Sequence, residues 1–503
     1  MAPVIPASEV SKHNTPSNLW IVVEDTIYDL TDFAPSHPGG QDILLRYAGR
    51  DATAAYSAVH SASLIKSTLP VAKHIGTIDR TNIPSDWTVT PAEPVSSTTA
   101  TRPPPLDSLI STHDFARAAN LSFPAKTHAF VTSAATDLHT YHRNSTAYSQ
   151  ITLRPRVLTD VSITDTSTTL LGRPVTSPIF ASPTSLGKTV HPDGEKALAQ
   201  ACSELGIAQA ISTSASYSLD EILSVIPRVQ VNGKRKAKIP VFFQLYVDKH
   251  RPNSEKLLRR AGELGIDALI LTVDAPVPGK READERISAQ SATVSPAVSS
   301  PMTGASASND SKGGALGRVM GKYIDPSVSW RDIAWLRRHL PEGTPIVLKG
   351  IQCAADARRA VEMGVDVVMV SNHGGRSLDT APATILVLLE LQRCCPEVFD
   401  ECEVWVDGGV MRGTDVFKAL CLGAKGVGIG RGMLYGLGYG VEGVKRYVEI
   451  LNDELETTMK MMGVTSLDQV HPGLLNTLAV DHLIPTADDH PYAKWRPRQR
   501  SKI

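Results

Sequence analysis

The sequence predicts an α/β protein built on a (β/α)8 barrel with a smaller unit ahead of it. Three observations carry that expectation. Between Pro178 and Arg431, eight short apolar runs alternate with helical patterns at a regular beat, as βα units around a parallel sheet do. Thr184, Ser212, Gln244, Thr272, Asp274, Lys349, Asn372, Asp407 and Arg431 fall at or near the C-terminal end of a run, the rim that holds the active site in such barrels. From Thr88 to Pro105, 12 of 18 residues are Thr, Ser or Pro, a semi-extended linker that sets off the residues before it.

The predicted barrel strands are residues 179–184, 207–213, 241–246, 268–274, 345–349, 367–372, 404–407 and 426–431. The domain plan is a first unit over 1–80, a linker over 81–105, a barrel over 106–480 and a tail over 481–503. Residues 288–315 break the beat: 21 of these 28 are Ser, Ala, Thr, Gly or Pro, with no Leu, Ile or aromatic, which predicts a mobile loop insertion. Lys and Arg total 51 against 52 acids, so no global basic footprint marks the chain for nucleic acid or membrane. Six cysteines without a C-x-x-C pair fit a reducing compartment, and no apolar run reaches membrane-spanning length. The N-terminus shows no signal or presequence pattern, and Ser501-Lys502-Ile503 is one aliphatic swap from a peroxisomal address, so peroxisome or cytoplasm is the expected compartment.

In the first unit, Phe33-Ala-Pro-Ser-His37-Pro38-Gly39-Gly40 follows the strand-like run Ile27–Leu30, and His60 ends a helical stretch from Asp51. Two neutral imidazoles can hold an iron from opposite faces, and Pro-Gly-Gly lets the backbone turn without bulk beside a flat macrocycle. This block, with Trp20-Ile-Val-Val ahead of it, resembles cytochrome b5 across residues 8–80. The resemblance implies a small α+β domain, a b-type haem with His37 and His60 as its two axial ligands, and electron transfer rather than O₂ binding. Residues 1–78 carry five Lys or Arg against seven Asp or Glu, which favours a basic redox partner.

On the barrel rim, Ser371-Asn-His373-Gly-Gly-Arg376 sets an imidazole and a guanidinium three residues apart on one loop. Oxidation of a 2-hydroxy acid needs such a base and such a carboxylate clamp, although the pair could also cap a helix. Asp274 is a candidate to steady the imidazolium, and Arg281 is either a second clamp or a surface charge. Lys349 closes a buried run, where it would serve a flavin ring or a Schiff base. Asp407-Gly408-Gly409 and Gly428-Ile-Gly430-Arg431 close the last two runs, where barrels commonly seat a phosphate.

Residues 106–470 resemble the FMN-dependent 2-hydroxy acid dehydrogenase and oxidase family. The segments that carry the likeness are Arg154–Val161, His191–Glu195, Phe243–Tyr246, Thr272–Asp274, Leu348–Gly350, Ser371–Arg376, Asp407–Gly409 and Arg412–Leu420. With the fused haem unit the whole chain resembles the flavocytochrome b2 family. That resemblance implies His373 as the base with Asp274 behind it, Arg376 and Arg281 on the substrate carboxylate, and Tyr246 on its hydroxyl. It implies Ser212, Gln244, Thr272 and Lys349 on the flavin, and Asp407, Gly408, Gly409, Gly430 and Arg431 at its ribityl and phosphate end. The implied activity is oxidation of an L-2-hydroxy acid, lactate-like or bulkier, with electrons passing from FMN to haem and on to a cytochrome c-like or other acceptor. The alternatives are an oxidase that delivers electrons to O₂ and a non-catalytic haem carrier. Family analogy adds a homotetramer and the mitochondrial intermembrane space as the other compartment.

Three positions depart from the family. Its Tyr-Tyr pair is Phe130-Val131 here, the first arginine of its D-G-G-V-R-R is Met411, and a bulky pocket residue is Ser214. These changes predict a weaker hold on the carboxylate, a weaker hold on the FMN phosphate and a wider pocket. Gly438-Tyr-Gly440-Val-Glu-Gly443 formally matches G-x-G-x-x-G, but no strand feeds it, so nicotinamide binding is not expected.

Overall fold

A computed structural model describes residues 3–37, 41–57, 60, 64–84, 87, 103–231, 234–290, 300–304 and 316–485. Pro38-Gly39-Gly40, most of the Thr/Ser/Pro-rich stretch and Ser501-Lys502-Ile503 lie outside these residues. The chain divides into two compact units, residues 1–101 with 283–299 and 304–320, and residues 102–282 with 300–303 and 321–503.

In the first unit a five-stranded sheet runs in the order Val4–Pro6, His74–Asp79, Thr26–Asp29, Asn18–Val23, Asn14–Thr15. Only its first pair is parallel. Alternation along Asn18–Val23 sorts the core: Leu19, Ile21 and Val23 face one cluster with Tyr28, Leu30, Ala52 and Ile65, whereas Val22 joins Val10, Ile27, Ile78 and Trp87 on the other side. Short helices Gln41–Arg46, Thr53–Ser57 and Leu64–Thr68 supply Leu44, Leu45, Tyr56 and Ile65 to the first cluster. The unit is therefore α+β.

The second unit is a closed barrel of eight parallel strands: β1 (Ile179–Thr184), β2 (Gln209–Ser212), β3 (Val241–Leu245), β4 (Ala268–Thr272), β5 (Ile346–Ile351), β6 (Val367–Val370), β7 (Glu403–Asp407) and β8 (Gly426–Ile429). All eight predicted runs form these strands. They read as unbroken apolar runs because helices cover their outer faces while side chains fill the interior. Trp405 lies between Phe180 and Phe242, with ring centroids 5.3 and 4.9 Å away, among Ala210, Ile270, Val347 and Met369. The hairpin Thr168–Leu170/Arg173–Val175 lends Leu170 and Val175 to this cluster, and Gly426 at the start of β8 leaves Leu170 its room.

The helix Gly440–Met462 buries Val444, Tyr447, Val448, Leu451, Leu455, Met459 and Met462 at helical spacing against its neighbours and stops at Gly463, φ 69°. The helix Arg431–Leu437, not a strand, precedes the G-x-G-x-x-G match, as its rejection requires. Within the low-complexity excursion, the helix Glu282–Gln290 runs past its start, and Ser300 is buried and donates to the Thr213 carbonyl at 2.9 Å.

Strand register sets the rim. Ser212 pairs with Gln244, Thr272 with Lys349, and Asp407 with Gly428, so polar side chains on neighbouring strands emerge at matching heights. Truncating Trp405→Ala empties the largest fully buried side chain of the core. It should cost about 3–5 kcal/mol in a urea titration of the barrel; a loss within experimental error would show that Phe180 and Phe242 collapse into the gap.

Candidate active site

At the centre of the rim stands a chain of ionisable groups from four consecutive strands. Asp274, two residues beyond β4, is wholly buried, and its Oδ1 lies 2.8 Å from His373 Nδ1. Its Oδ2 lies 3.8 Å from Lys349 Nζ on β5. Lys349 donates to Ser371 Oγ at 2.8 Å beyond β6 and sits 3.6 Å from Asp407 Oδ2 at the end of β7. Ser371 Oγ in turn donates to Asp407 Oδ1 at 2.6 Å.

These contacts settle the charges. Burial works to raise the Asp274 carboxyl, but His373 and Lys349 outweigh it and hold the group below its ordinary value, ionised. Burial alone would depress the Lys349 ammonium, yet Asp407 and Asp274 outweigh it and keep the charge. Burial brings the His373 imidazole below its ordinary value, the Asp274 carboxylate opposing, so the ring rests neutral. Its Nδ1–H then points to Asp274, and Nε2 carries the lone pair, 3.2 Å from the Tyr246 hydroxyl. His373 holds this pose in the left-handed region at φ 58°, where a non-glycine residue costs about 1–2 kcal/mol. The bond from its N–H to Ser371 Oγ, 3.1 Å, helps to fix the turn.

Ser212, Gln244 and Thr272 form a buried ledge beside this chain. Ser212 Oγ donates to Gln244 Oε1 at 3.0 Å, and Gln244 Nε2 donates to Thr272 Oγ1 at 3.0 Å. With Lys349 next on the rim, the ledge suits the polar edge of a flavin. At the ends of β7 and β8 the backbone clears space. Gly409 has φ 82°, and a Cβ there would strike the Asn144 backbone. A Cβ on Gly430, at the start of the helix Arg431–Leu437, would meet nothing within 4 Å, so a phosphate has room beside the helix N–H groups. The residues present therefore fit FMN.

Arg376 donates to the carbonyls of Val131 and Ser133 at 2.9 and 3.0 Å, and Arg431 reaches the same two carbonyls at 3.2 Å each and Gly374 at 3.0 Å. Two guanidiniums thus cap the C-terminal end of the helix Ala125–Thr132. The Arg376 guanidinium lies over the Phe130 ring, 5.4 Å to the centroid, so the phenyl keeps the packing while the hydroxyl donor is lost. Arg281, between β4 and the helix Glu282–Gln290, is close enough for its charge, with that of Arg376, to act on the Tyr246 phenol. Met411 is held by its backbone, its N–H on Asp415 at 3.0 Å, and Arg412 is committed to Glu454 at 2.7 Å. Neither side chain replaces the missing phosphate ligand.

At Ser214 the structure corrects an expectation. The pocket is not simply wider there, because the Tyr323 hydroxyl lies 3.3 Å from Ser214 Oγ and 3.3 Å from Thr213 Oγ1. Sequence reasoning missed Tyr323, which stands far along the chain in a segment without periodic pattern. It also missed the bridging role of Ser371, although that residue lies inside the quoted Ser371–Arg376 motif.

In the first unit, His37 and His60 have ring centroids 6.3 Å apart, with planes inclined by 77°. Metal–nitrogen bonds of about 2 Å on either side of one ion place two imidazole centroids about 6 Å apart, so the pair fits an iron between them. Burial, with the His37 charge, holds His60 below its ordinary value and in the neutral form that ligates. Phe33 packs edge-on at 5.7 Å from His37, and Tyr56 lies 5.0 Å from His60.

An imidazole base, two arginines and a flavin ledge on a barrel rim, joined in one chain to an imidazole pair spaced for haem, define a haem-coupled flavin oxidoreductase. Residues 119–477 match the FMN-dependent dehydrogenase model, and residues 6–79 match the cytochrome b5-like haem/steroid binding domain. The chain belongs to the FMN-dependent dehydrogenase family and uses FMN and haem b as cofactors. It is 39% identical over 487 residues to the L-lactate dehydrogenase (cytochrome) of Wickerhamomyces anomalus, covering 96% of this chain and 82% of that one. It is 42% identical over 365 residues to a peroxisomal (S)-2-hydroxy-acid oxidase of Oryza sativa subsp. japonica, covering 72% and 94%. The recombinant flavin-binding domain of baker's yeast flavocytochrome b2 superposes with a TM-score of 0.66 at 37% identity, covering 80% of this chain and 95% of that one.

Two outcomes follow from this geometry. Met411→Arg should tighten FMN by about 10–100-fold, the worth of one added hydrogen bond to a charged group, as read from the flavin dissociation constant. An unchanged constant would mean that Arg431 and the backbone already saturate the phosphate. His37→Ala or His60→Ala should abolish the b-type Soret band while FMN fluorescence and content stay at wild-type levels; a retained six-coordinate spectrum would rule the pair out.

Proposed function

We propose that the chain oxidises an L-2-hydroxy acid to the 2-oxo acid and delivers the electrons through its haem to an external acceptor. The bond between His373 Nδ1 and the buried Asp274 carboxylate, which leaves Nε2 facing Tyr246, carries this reading. FMN supplies the two-electron acceptor, and the haem supplies a one-electron relay. His373 takes the substrate proton at Nε2, and Asp274 stabilises the imidazolium that results. Arg376 and Arg281 hold the substrate carboxylate, and Tyr246 hydrogen-bonds its hydroxyl. Ser212, Gln244, Thr272 and Lys349 contact the flavin, and Asp407, Gly408, Gly409, Gly430 and Arg431 support its ribityl and phosphate end.

The lactate dehydrogenase relative, matched over both units, favours a lactate-like acid and a cytochrome-type acceptor. We infer a homotetramer by family analogy, and the cytochrome-type relatives favour the mitochondrial intermembrane space, the alternative compartment, over the peroxisome or cytoplasm expected first. An oxidase is the second reading, favoured by the barrel's 42% identity to the rice enzyme. Anaerobic mixing with L-lactate should bleach the flavin and then bring up the reduced haem bands. Peroxide formed in air without haem turnover would establish the oxidase instead, and an unbleached flavin would overturn both.

The pH profile tests the base. Protonated His373 cannot accept a proton, so kcat/KM should fall on the acid side with a limb below the ordinary histidine value of about 6.5, because burial lowers the imidazole. Asp274→Asn should cut kcat/KM by about 10²–10⁴-fold. It should also move that limb to still lower pH, since the carboxylate that raised the imidazole is gone; a limb that stays in place would remove Asp274 from the mechanism.

A further inference from the structure

We propose that Tyr323, with Ser214 and Thr213, forms the side-chain end of the substrate pocket and selects L-2-hydroxy acids whose side chain bears a hydroxyl. This rests on the 2-hydroxy acid chemistry proposed above. The cluster adjoins the reacting groups: Thr213 Oγ1 accepts the Tyr246 N–H at 3.4 Å, and the Tyr246 hydroxyl meets His373 at 3.2 Å. Thr213 and Ser214 are buried and Tyr323 is half-buried, so their hydroxyls have limited access to water.

Three hydroxyl groups bring three donor protons. Among the described residues they make two mutual contacts, Tyr323 to Thr213 and Tyr323 to Ser214, which employ two of the three. One donor and several lone pairs remain for a guest. The frame is rigid, since Thr213 N–H donates to Gln244 at 3.4 Å, the Ser214 N–H to Ser212 Oγ at 3.1 Å, and the Tyr323 carbonyl accepts the Lys249 N–H at 2.9 Å. A methyl group placed here would leave that donor unpaired, whereas a hydroxymethyl group pairs it. Sites built to bond a substrate hydroxyl discriminate strongly against the analogue that lacks it.

The test compares L-glycerate with L-lactate, two acids that differ by one hydroxyl on C3, in anaerobic flavin reduction by the holoenzyme. The wild type should show the higher kcat/KM with glycerate. Tyr323→Phe and Ser214→Ala should each lower the glycerate-to-lactate ratio by about tenfold or more. A second arm reads the dissociation constants of 3-hydroxypyruvate and pyruvate from the flavin difference spectrum, where the same two variants should erase the preference. A wild type that favours lactate in both arms, or ratios that neither variant moves, would overturn the proposal. If neither acid bleaches the flavin, the proposed reaction fails, and the oxo-acid arm still decides the pocket.

Discussion

One buried carboxylate, Asp274, organises the site. One of its oxygens faces the His373 imidazole at 2.8 Å, a cation once it takes a proton, the other faces the Lys349 ammonium at 3.8 Å, and water reaches neither oxygen. An isolated charge in such a place would neutralise itself. It stays ionised because Lys349 is itself anchored by Ser371 and Asp407, so two carboxylates and one ammonium form a closed set. The barrel's register assembles that set, because its members come from the ends of β4, β5, β6 and β7 in turn. The core beneath, with Trp405 wedged between two phenylalanines, keeps those strand ends from drifting.

The same network explains the polarity of the rim. Inside it one positive charge meets two negative ones, an excess that repels an anion. The correction comes from outside the network. Arg376 and Arg431 are gathered at the C-terminal carbonyls of the helix Ala125–Thr132, where the helix dipole tolerates two neighbouring guanidiniums, and Arg281 is close enough for its charge to act on the Tyr246 phenol. On the proposed reading a substrate carboxylate meets these cations while its reacting end meets a neutral imidazole. The separation matters, since a second carboxylate beside His373, added to that of Asp274, would raise the imidazole further toward its protonated form.

Much of this was legible in the chain itself. Parallel barrel strands are buried on both faces, so each prints as an apolar run, and the first polar residue after it marks the rim; Gln244, Thr272 and Asp407 were found by that signal alone. His373, Arg376 and His37 sit in compact motifs, whereas His60 stands apart at the end of a helical stretch and was legible as a ligand only through the likeness to cytochrome b5. Tyr323 sits in no such motif. It reaches Ser214 from 109 residues away, out of a segment that lies beyond the low-complexity excursion and carries no periodic pattern. Ser300, inside the excursion over 288–315, is buried against Thr213 for a like reason, as tertiary contact gives it a place that no local pattern announces.

The departures at Phe130 and Ser214 become one pattern once Tyr323 is included. Near Arg376 a phenol expected to bond the substrate carboxylate is a phenyl ring, which keeps its packing under the guanidinium and donates nothing. At Ser214 the family's bulky residue is replaced by a hydroxyl, and the Tyr323 hydroxyl lies 3.3 Å from it. On the proposed reading, hydrogen-bonding capacity has moved from the carboxylate end of the pocket toward the end that would receive the substrate side chain. A carboxylate already met by arginines loses little discrimination when one neutral donor is withdrawn, because every 2-hydroxy acid carries the same group. A donor added where side chains differ acts on the difference between substrates, and specificity is a difference of affinities. If the pocket is arranged as proposed, the two exchanges together trade general affinity for selectivity.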